Sequence, residues 1–219
     1  MRADELIAAV KARDSVAVTD LLEAEPELAE ARDEDGVSAV MLSRYYGAPE
    51  ELTAAIRSRL SELDVFEAAT LGEVHRLREL LDADPSLVTA WSPDRATALH
   101  FAAFFGQPEA ARLLLERGAD VHAVSPTFGD VTPLHSAAAA PSLEIVRALL
   151  AAGADPRARQ ASDFTALHSA AQNGDPELAQ ALLDAGADPE AETDDGRTPR
   201  SIAEQQGHDE VSALLLRRS

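Results

Sequence analysis

One phrase recurs along the chain at nearly constant spacing. Thr-x-Leu-His stands at residues 97–100, 132–135 and 165–168, and its first half returns as Thr198-Pro199. The four threonines are 35, 33 and 33 residues apart, and Gly-Ala-Asp follows each of the first three 21 residues later. A fixed period of this length predicts a repeat architecture, because each unit is too small to bury its own apolar face and must share it with its neighbours.

The two phrases resemble the ankyrin repeat family, whose pattern is Gly-x-Thr-Pro-Leu-His-x-Ala-Ala-x-x-Gly, then Glu-Ile-Val-x-x-Leu-Leu, then Gly-Ala-Asp. Residues 128–158 reproduce most of it, including Glu144-Ile145-Val146 and Leu149-Leu150. The resemblance implies an all-α fold, a solenoid of stacked helix-turn-helix units with short β-turn or hairpin fingers. It also implies recognition of a partner protein rather than catalysis.

The residue that ends the first helix of each unit sets the spacing of the repeats. The intervals between these residues are 34, 25, 34, 35, 33 and 33. The residues are Arg13, Gly47, Gly72, Gly106, Pro141, Gly174 and Gly207. We therefore predict a single domain over 1–219 with about seven repeats, of which the first and last are caps: 1–33, 34–60, 61–93, 94–127, 128–160, 161–193 and 194–219.

The 25-residue interval indicates a shortened joint between the second and third repeats. We expect a missing or shortened finger there, with a second helix over about 50–59 running almost directly into a first helix over about 61–71. Repeats 1 and 3 differ in another way, since Pro26 and Pro85 mark a turn in place of Gly-Ala-Asp.

The threonine of each phrase can cap the first helix, and a following Pro suits the first helical residue, where no N–H is needed. The resemblance implies that His100, His135 and His168 are structural and order the turn. A shared metal site is disfavoured, because equivalent positions in stacked helices lie roughly 8–10 Å apart. Zinc ligands must lie within about 2 Å of the ion.

Other polar groups also have a structural interpretation. The acid pairs Glu34-Asp35 and Asp194-Asp195 precede a turn glycine and are expected to be solvated. Ser136 and Ser169 directly follow a histidine, but adjacency in a helix is not a nucleophile–base arrangement. We predict no catalytic residue, no metal and no cofactor.

Composition excludes several further classes. With 39 acidic and 19 basic residues the net charge is −20, which argues against binding to nucleic acid or to an anionic membrane. The absence of cysteine excludes disulfides and thiolate metal sites. No apolar run reaches the roughly 18 residues of a membrane helix, and acidic residues at the start do not fit a signal peptide. We expect a cytoplasmic protein.

The resemblance places the binding surface on the concave face, at the fingers and at the ends of the first helices. Seven of the nine aromatic residues fall in these places, with Trp91 a weaker candidate than Phe105 because it can instead fill the long turn of the third repeat. The alternative is that Phe104, Phe105 and the tyrosine pair pack against the next repeat or under a finger. The predicted partner-binding residues are Tyr45, Tyr46, Leu71, Phe104, Phe105, Phe128, Phe164, Gln172 and Asn173.

Three functions remain open from the sequence. The leading hypothesis is a monomeric, non-enzymatic module that binds a partner protein of basic character through this aromatic face. The alternative is an acidic inhibitor or immunity-type protein that blocks a basic toxin or enzyme. A remote alternative is an enzyme with an atypical groove site, which a deep pocket with strongly shifted carboxylates or histidines would favour.

Overall fold

The structure, a computed structural model, describes residues 2–218. Over this range the chain forms α-helices of seven to ten residues, arranged as consecutive contacting pairs. The first helices of the pairs are α1 Arg2–Lys11, α3 Ala39–Tyr45, α5 Val65–Leu71, α7 Ala98–Phe104, α9 Pro133–Ala139, α11 Ala166–Asn173 and α13 Pro199–Gln206. The second helices are α2 Ser15–Ala24, α4 Glu50–Arg57, α6 Val74–Ala83, α8 Pro108–Glu116, α10 Leu143–Ala151, α12 Pro176–Asp184 and α14 Asp209–Leu216.

The helices form two layers with the core between them. Each first helix packs against the first helix of the next pair, and the second helices stack in the same way except where α4 is followed by α6. Leucines at matching positions of the first helices are fully buried, as are those of the second helices they face. Each pair therefore completes its core only with its neighbours, as the repeat pattern predicts.

The Thr-x-Leu-His phrase starts three of the first helices as the sequence predicts, and its first half starts a fourth. Thr97, Thr132 and Thr165 are N-cap residues in extended conformation, and the histidine three residues later completes a capping box. Thr198 does the same with Ser201 in place of histidine. Two otherwise unpaired backbone donors at each helix start are thereby satisfied.

Four short fingers precede first helices, and each is closed by one antiparallel bridge. Finger 1 pairs Arg32 with Ser38, finger 2 pairs Trp91 with Thr97, finger 3 pairs Ser125 with Val131, and finger 4 pairs Arg159 with Thr165. Before α13, the turn at 193–197 is held by a backbone hydrogen bond between Thr193 N–H and Arg197 C=O.

No bridged finger lies between α4 and α5, which confirms the shortened joint predicted from the 25-residue interval. The helix bounds were predicted too long, because seven residues, 58–64, separate the two helices. Asp64 ends this segment by capping α5 with Glu67. As a result finger 1 lies beside finger 2, and a Cβ placed on Gly36 would be 3.3 Å from Cβ of Pro93.

The proline-marked turns of the first and third pairs are 3-10 helices, Pro26–Glu30 and Pro85–Thr89. Every helix pair falls within one of the predicted segments. The exact boundaries of the repeats and their number stay predictions. Among the described residues, no helix is both long enough and apolar enough to cross a membrane.

Candidate binding groove

A groove runs between the fingers and the first helices, and two cavities lie side by side in it. The aromatic cavity, of about 330 Å³, is lined by Tyr45, Ala96, His100, Phe101, Phe104, Phe128, Val131, His135, Ser136, Ala139, Gln160 and Ser169. The acidic cavity, of about 550 Å³, is lined by Asp33, Asp35, Val37, Leu42, Tyr45, Tyr46, Pro93, Asp94, Arg95, Thr127 and Phe128. Tyr45 and Phe128 line both cavities and therefore form the wall between them.

Tyr45 is the central residue of this wall. Its ring, at the end of α3, has its centroid 5.5 Å from that of Phe105 and 6.1 Å from that of Phe128 in finger 3. Its hydroxyl donates to Oδ2 of Asp94 in finger 2 at 2.5 Å. Burial raises the pKa of Tyr45, and the neighbouring Asp94 raises it further. Tyr45 thus stays neutral, and it joins α3 to finger 2 and finger 3.

The predicted aromatic residues divide between the two readings offered by the sequence. Tyr46, Phe104 and Phe128 keep 46%, 46% and 44% of their surface exposed, so apolar area of these rings is open to solvent. Tyr45 and Phe105 are partly buried and pack against the core, which is the alternative reading. Trp91 is also half exposed, with its ring near His100.

The remaining predicted residues do not line either cavity. Leu71 is partly buried against the core. The ring of Phe164 lies 4.9 Å from that of His168. The Asn173 amide donates to the carbonyl of Ala138 at 3.0 Å, and the Gln172 carbonyl accepts from His208 Nε2 at 3.1 Å. The Asn173 hydrogen bond thus links α11 to α9 of the preceding helix pair, and the role of Asn173 in binding stays a prediction.

The histidines of the phrase are structural, as predicted. In His100, Nδ1 accepts the N–H of Thr97 at 3.2 Å and Nε2 donates to the carbonyl of Val131 in finger 3 at 3.1 Å. His135 and His168 make the same bonds to their own N-cap and to the next turn.

Burial lowers the pKa of all three histidines, that of His100 to about 4. Both nitrogens of each ring are engaged in bonds that fit the neutral form. The shifted pKa values therefore follow from the structural role of the rings, and neither imidazole in the aromatic cavity offers a free nitrogen.

The acidic cavity owes its charge to three aspartates. Asp33 accepts from Lys11 Nζ at 3.0 Å. Burial alone would raise the pKa of Asp33, but the hydrogen bonds from Lys11 and from the Val37 N–H outweigh it and lower the pKa. Asp94 accepts a hydrogen bond from the Tyr45 hydroxyl, and Asp35 is exposed. Arg95 is the cation among the lining residues, so the cavity has an excess of negative charge.

Sequence reasoning considered Ser136 and Ser169 only as nucleophiles and did not consider Gln160, so it missed that all three line the aromatic cavity. The signal was present, because the position after histidine in the phrase is Phe101, Ser136 and Ser169 in successive units. All three side chains line the same cavity. Within residues 2–218, no three His, Asp or Glu side chains are grouped so as to hold a metal ion.

Comparison with known proteins agrees with the helix-pair architecture. A family model described as ankyrin repeats (3 copies) matches residues 65–160 and 134–219. The chain is similar to the probable E3 ubiquitin-protein ligase XBOS31 of Oryza sativa subsp. japonica, with 44% identity over 105 residues, 45% of this chain and 23% of that protein. It is also similar to the palmitoyltransferase Hip14 of Drosophila melanogaster, with 38% identity over 109 residues, 50% of this chain and 17% of that protein.

A third relative, the ankyrin repeat and SAM domain-containing protein 6 of Rattus norvegicus, is 35% identical over 101 residues, 46% of this chain and 11% of that protein. The chain thus spans less than a quarter of the length of these relatives. The family match covers the chain from residue 65 to its last residue, and repeats of this kind indicate a protein–protein interaction module. The chain belongs to the ankyrin repeat family.

Proposed function

We propose that this chain is a non-enzymatic recognition module, a cytoplasmic monomer that binds a partner protein through the concave, finger-side groove. The observation that carries the proposal is the pair of adjoining cavities, one aromatic and one acidic, with half-exposed Tyr46, Phe104 and Phe128 around them. Large aromatic side chains in concave sites supply most of the binding energy in many interfaces.

The charge of the chain supports a partner of basic character. The net charge is −20, and three aspartates line one of the two cavities. Such a field speeds the encounter with a basic protein and weakens as salt is added.

The test is affinity capture from the source cell with wild type and with the double variant Tyr46→Ala/Phe104→Ala, followed by titration with the purified captured protein. We expect binding to weaken at least tenfold in the double variant, since each truncation removes a half-exposed ring from the groove. Leu216→Ala is the matched control, because Leu216 is an exposed apolar residue of the last helix, which does not line either cavity.

If the double variant keeps the helical circular dichroism of wild type and binds the captured protein equally well, the groove is not the binding surface. If the control loses binding as well, the last helix contributes to the interface and the groove alone does not account for it.

A second candidate is an inhibitor or immunity-type protein that blocks a basic toxin or enzyme. The acidic cavity favours it, because it would cover cationic groups on such a target. A steep fall of affinity between 50 and 500 mM salt, together with loss of the captured protein's activity on binding, distinguishes inhibition from simple docking. Against an enzyme stands the engagement of both nitrogens of His100 and of His135.

A further inference from the structure

The two ends of the aromatic cavity differ in chemistry. Toward the N-terminal helices its wall consists of aromatic rings, among them Tyr45, Phe104 and Phe128. Toward the C-terminal helices it presents Ser136 of α9, Ser169 of α11 and Gln160, which precedes α11. A guest that fits both ends needs an apolar body and a polar tip.

The polar end holds hydroxyls that lack partners. Ser136 and Ser169 are 7% and 9% exposed, and neither hydroxyl makes a hydrogen bond within the part of the chain that the structure describes. The side-chain amide of Gln160 is equally unpaired in residues 2–218. Other serines of the first helices do find a partner, since the hydroxyl of Ser43 donates to the Val40 carbonyl at 2.7 Å. Neither oxygen is among the fully buried side-chain atoms that lack a partner, so water reaches both hydroxyls from the cavity. A guest whose own hydroxyl bonds with them replaces that water without losing a hydrogen bond.

The polar end is also uncharged. His100 and His135 are neutral rings whose nitrogens are occupied. No arginine or lysine is among the residues that line the cavity. A carboxylate or phosphate would therefore lose its hydration there without an opposite charge, which is unfavourable. A neutral group that both donates and accepts, such as a phenol hydroxyl, matches two hydroxyls and an amide.

A second preference comes from the shared wall. Beyond Tyr45 and Phe128 lies the acidic cavity with Asp33, Asp35 and Asp94. A chain that places a ring in the aromatic cavity and continues over this wall meets exposed Asp35, while Asp33 is paired with Lys11 and Asp94 accepts from Tyr45. Three aspartates against Arg95 still leave an excess of negative charge among the lining residues, so a cationic group next to the ring is favoured there.

We propose that the aromatic cavity takes the side chain of a partner tyrosine that is followed or preceded by a lysine or arginine. The ring lies against Tyr45, Phe104 and Phe128, the phenol hydroxyl bonds with Ser136 and Ser169, and the basic residue lies at the acidic cavity. A volume of about 330 Å³ is at the small end for ligand sites, and it suits one aromatic side chain. This assignment rests on the proposed function and names the chemistry of its partner.

Three small probes separate the features of this site. Tyramine carries the phenol and an ammonium, 2-phenylethylamine lacks the hydroxyl, and 3-(4-hydroxyphenyl)propionate replaces the ammonium by a carboxylate. Each is titrated into the isotope-labelled full chain and followed by the amide resonances of the cavity residues. We expect tyramine to bind most tightly, with removal of the hydroxyl weakening binding about fivefold, the effect of one net hydrogen bond.

Reversing the probe's charge should weaken binding by a similar factor, and 500 mM salt should reduce only that second difference. The double variant Ser136→Ala/Ser169→Ala should bind tyramine and 2-phenylethylamine equally, with unchanged affinity for the latter. Ser58→Ala, an exposed serine outside both cavities with right-handed helical backbone at the end of α4, is the control and should keep the preference for the hydroxyl. Alanine suits helices, so both variants are expected to fold.

Equal binding of tyramine and 2-phenylethylamine to wild type, survival of the hydroxyl preference in the double serine variant, or the absence of shifts at Ser136 and Ser169 would each overturn the tyrosine assignment. Failure here leaves the recognition function standing if Tyr46→Ala/Phe104→Ala still abolishes capture of a partner. If that capture is unaffected while tyramine binds as described, the cavity is a site for small phenolic amines and the groove function is wrong.

Discussion

The third residue of the first helices marks a contrast between the two halves of the molecule. In α7, α9 and α11 this residue is a histidine, whose Nε2 reaches forward to the carbonyl of the next turn. In α5 it is Glu67, which closes the capping box with Asp64 and reaches back to Arg32 of finger 1 at 3.2 Å. In α3, which no finger follows, it is the buried Met41.

The contrast teaches that one position makes different connections in different joints. In α7, α9 and α11 a neutral imidazole links one helix pair to the finger or turn of the next and caps its own helix at the same time. In α3, which no finger follows, an apolar side chain takes the place, and in α5, which no finger precedes, the residue is Glu67, paired with Arg32 of finger 1. The two kinds of joint should therefore differ in energy and in their response to pH.

The largest expected effect is that of His135→Ala. Removing the imidazole leaves the Thr132 N–H and the Ala158 carbonyl without their partner in a buried site. We expect the free energy of unfolding to fall by about 2–4 kcal/mol, as for other losses of a cap and a buried hydrogen bond. Urea unfolding measures it, with His122→Ala, an exposed histidine, as the control near zero. A cost below that of the control would refute the linking role.

The next effect is a loss of stability below neutral pH through His100. Its folded pKa is about 4, below the ordinary 6.5, so the unfolded chain takes up a proton that the folded chain does not. The contribution is fully present above pH 6.5 and is lost as the pH falls toward 4. Between pH 6.5 and 5 this amounts to about 2 kcal/mol.

Unfolding of wild type and His100→Gln at pH 7 and pH 5 tests this prediction. The variant should be less stable at pH 7 but should lose less stability than wild type on acidification. An unchanged difference between the two proteins at the two pH values would show that His100 does not titrate with folding.

Tyr45→Phe probes the hydrogen bond from the Tyr45 hydroxyl to Asp94, which spans the joint that lacks a finger. The variant keeps the ring but removes the donor to Asp94, which retains its bond from the Ser92 hydroxyl. We expect a cost of about 1–2 kcal/mol, typical of a hydrogen bond to a charged group that is only partly exposed. The neighbouring Tyr46→Phe should cost much less, because Tyr46 is half exposed. Similar costs for both would mean that the bond adds nothing to the joint.

The smallest effect concerns Glu67→Gln. Burial raises the pKa of Glu67, and the charge of Asp64 raises it further, against the lowering effects of the Asp64 N–H, Ser38 and Arg32. A raised carboxyl pKa means that ionisation weakens the fold as the pH rises, the opposite of His100. We expect Gln to stabilise the protein at pH 7 by less than about 1 kcal/mol, and the gain to shrink at pH 5. A gain that grows at pH 5 contradicts the assignment.

The regular part of the fold was predictable because its signals are local. Thr97 to His100 specify a cap, a helix start and a turn within four residues, and the same phrase repeats with the same result. The missing finger was predictable from an interval alone. The ends of α4 and α5 were not, because buried Leu60 and Leu63 hold the connecting segment outside either helix.

The candidate groove was predictable only in part. The positions of Tyr46, Phe104 and Phe128 follow from their places in the repeat, but the contact of Tyr45 with Phe128 does not. It arises because finger 1 and finger 2 lie side by side, which depends on packing across the joint. The unpaired hydroxyls of Ser136 and Ser169 are equally invisible in sequence, since whether a serine bonds its own helix is decided by its rotamer.

The reach of Tyr45 has a consequence for the modularity of this solenoid. In an ideal solenoid each unit contacts only its neighbours, so one unit can be deleted, duplicated or exchanged without disturbing distant ones. Here one ring on the second helix pair contacts side chains that belong to the fourth and fifth units. Deleting or exchanging a helix pair between α3 and finger 3 therefore breaks the contacts of Tyr45 as well as those between neighbours, so such changes should cost more stability there than among the C-terminal pairs.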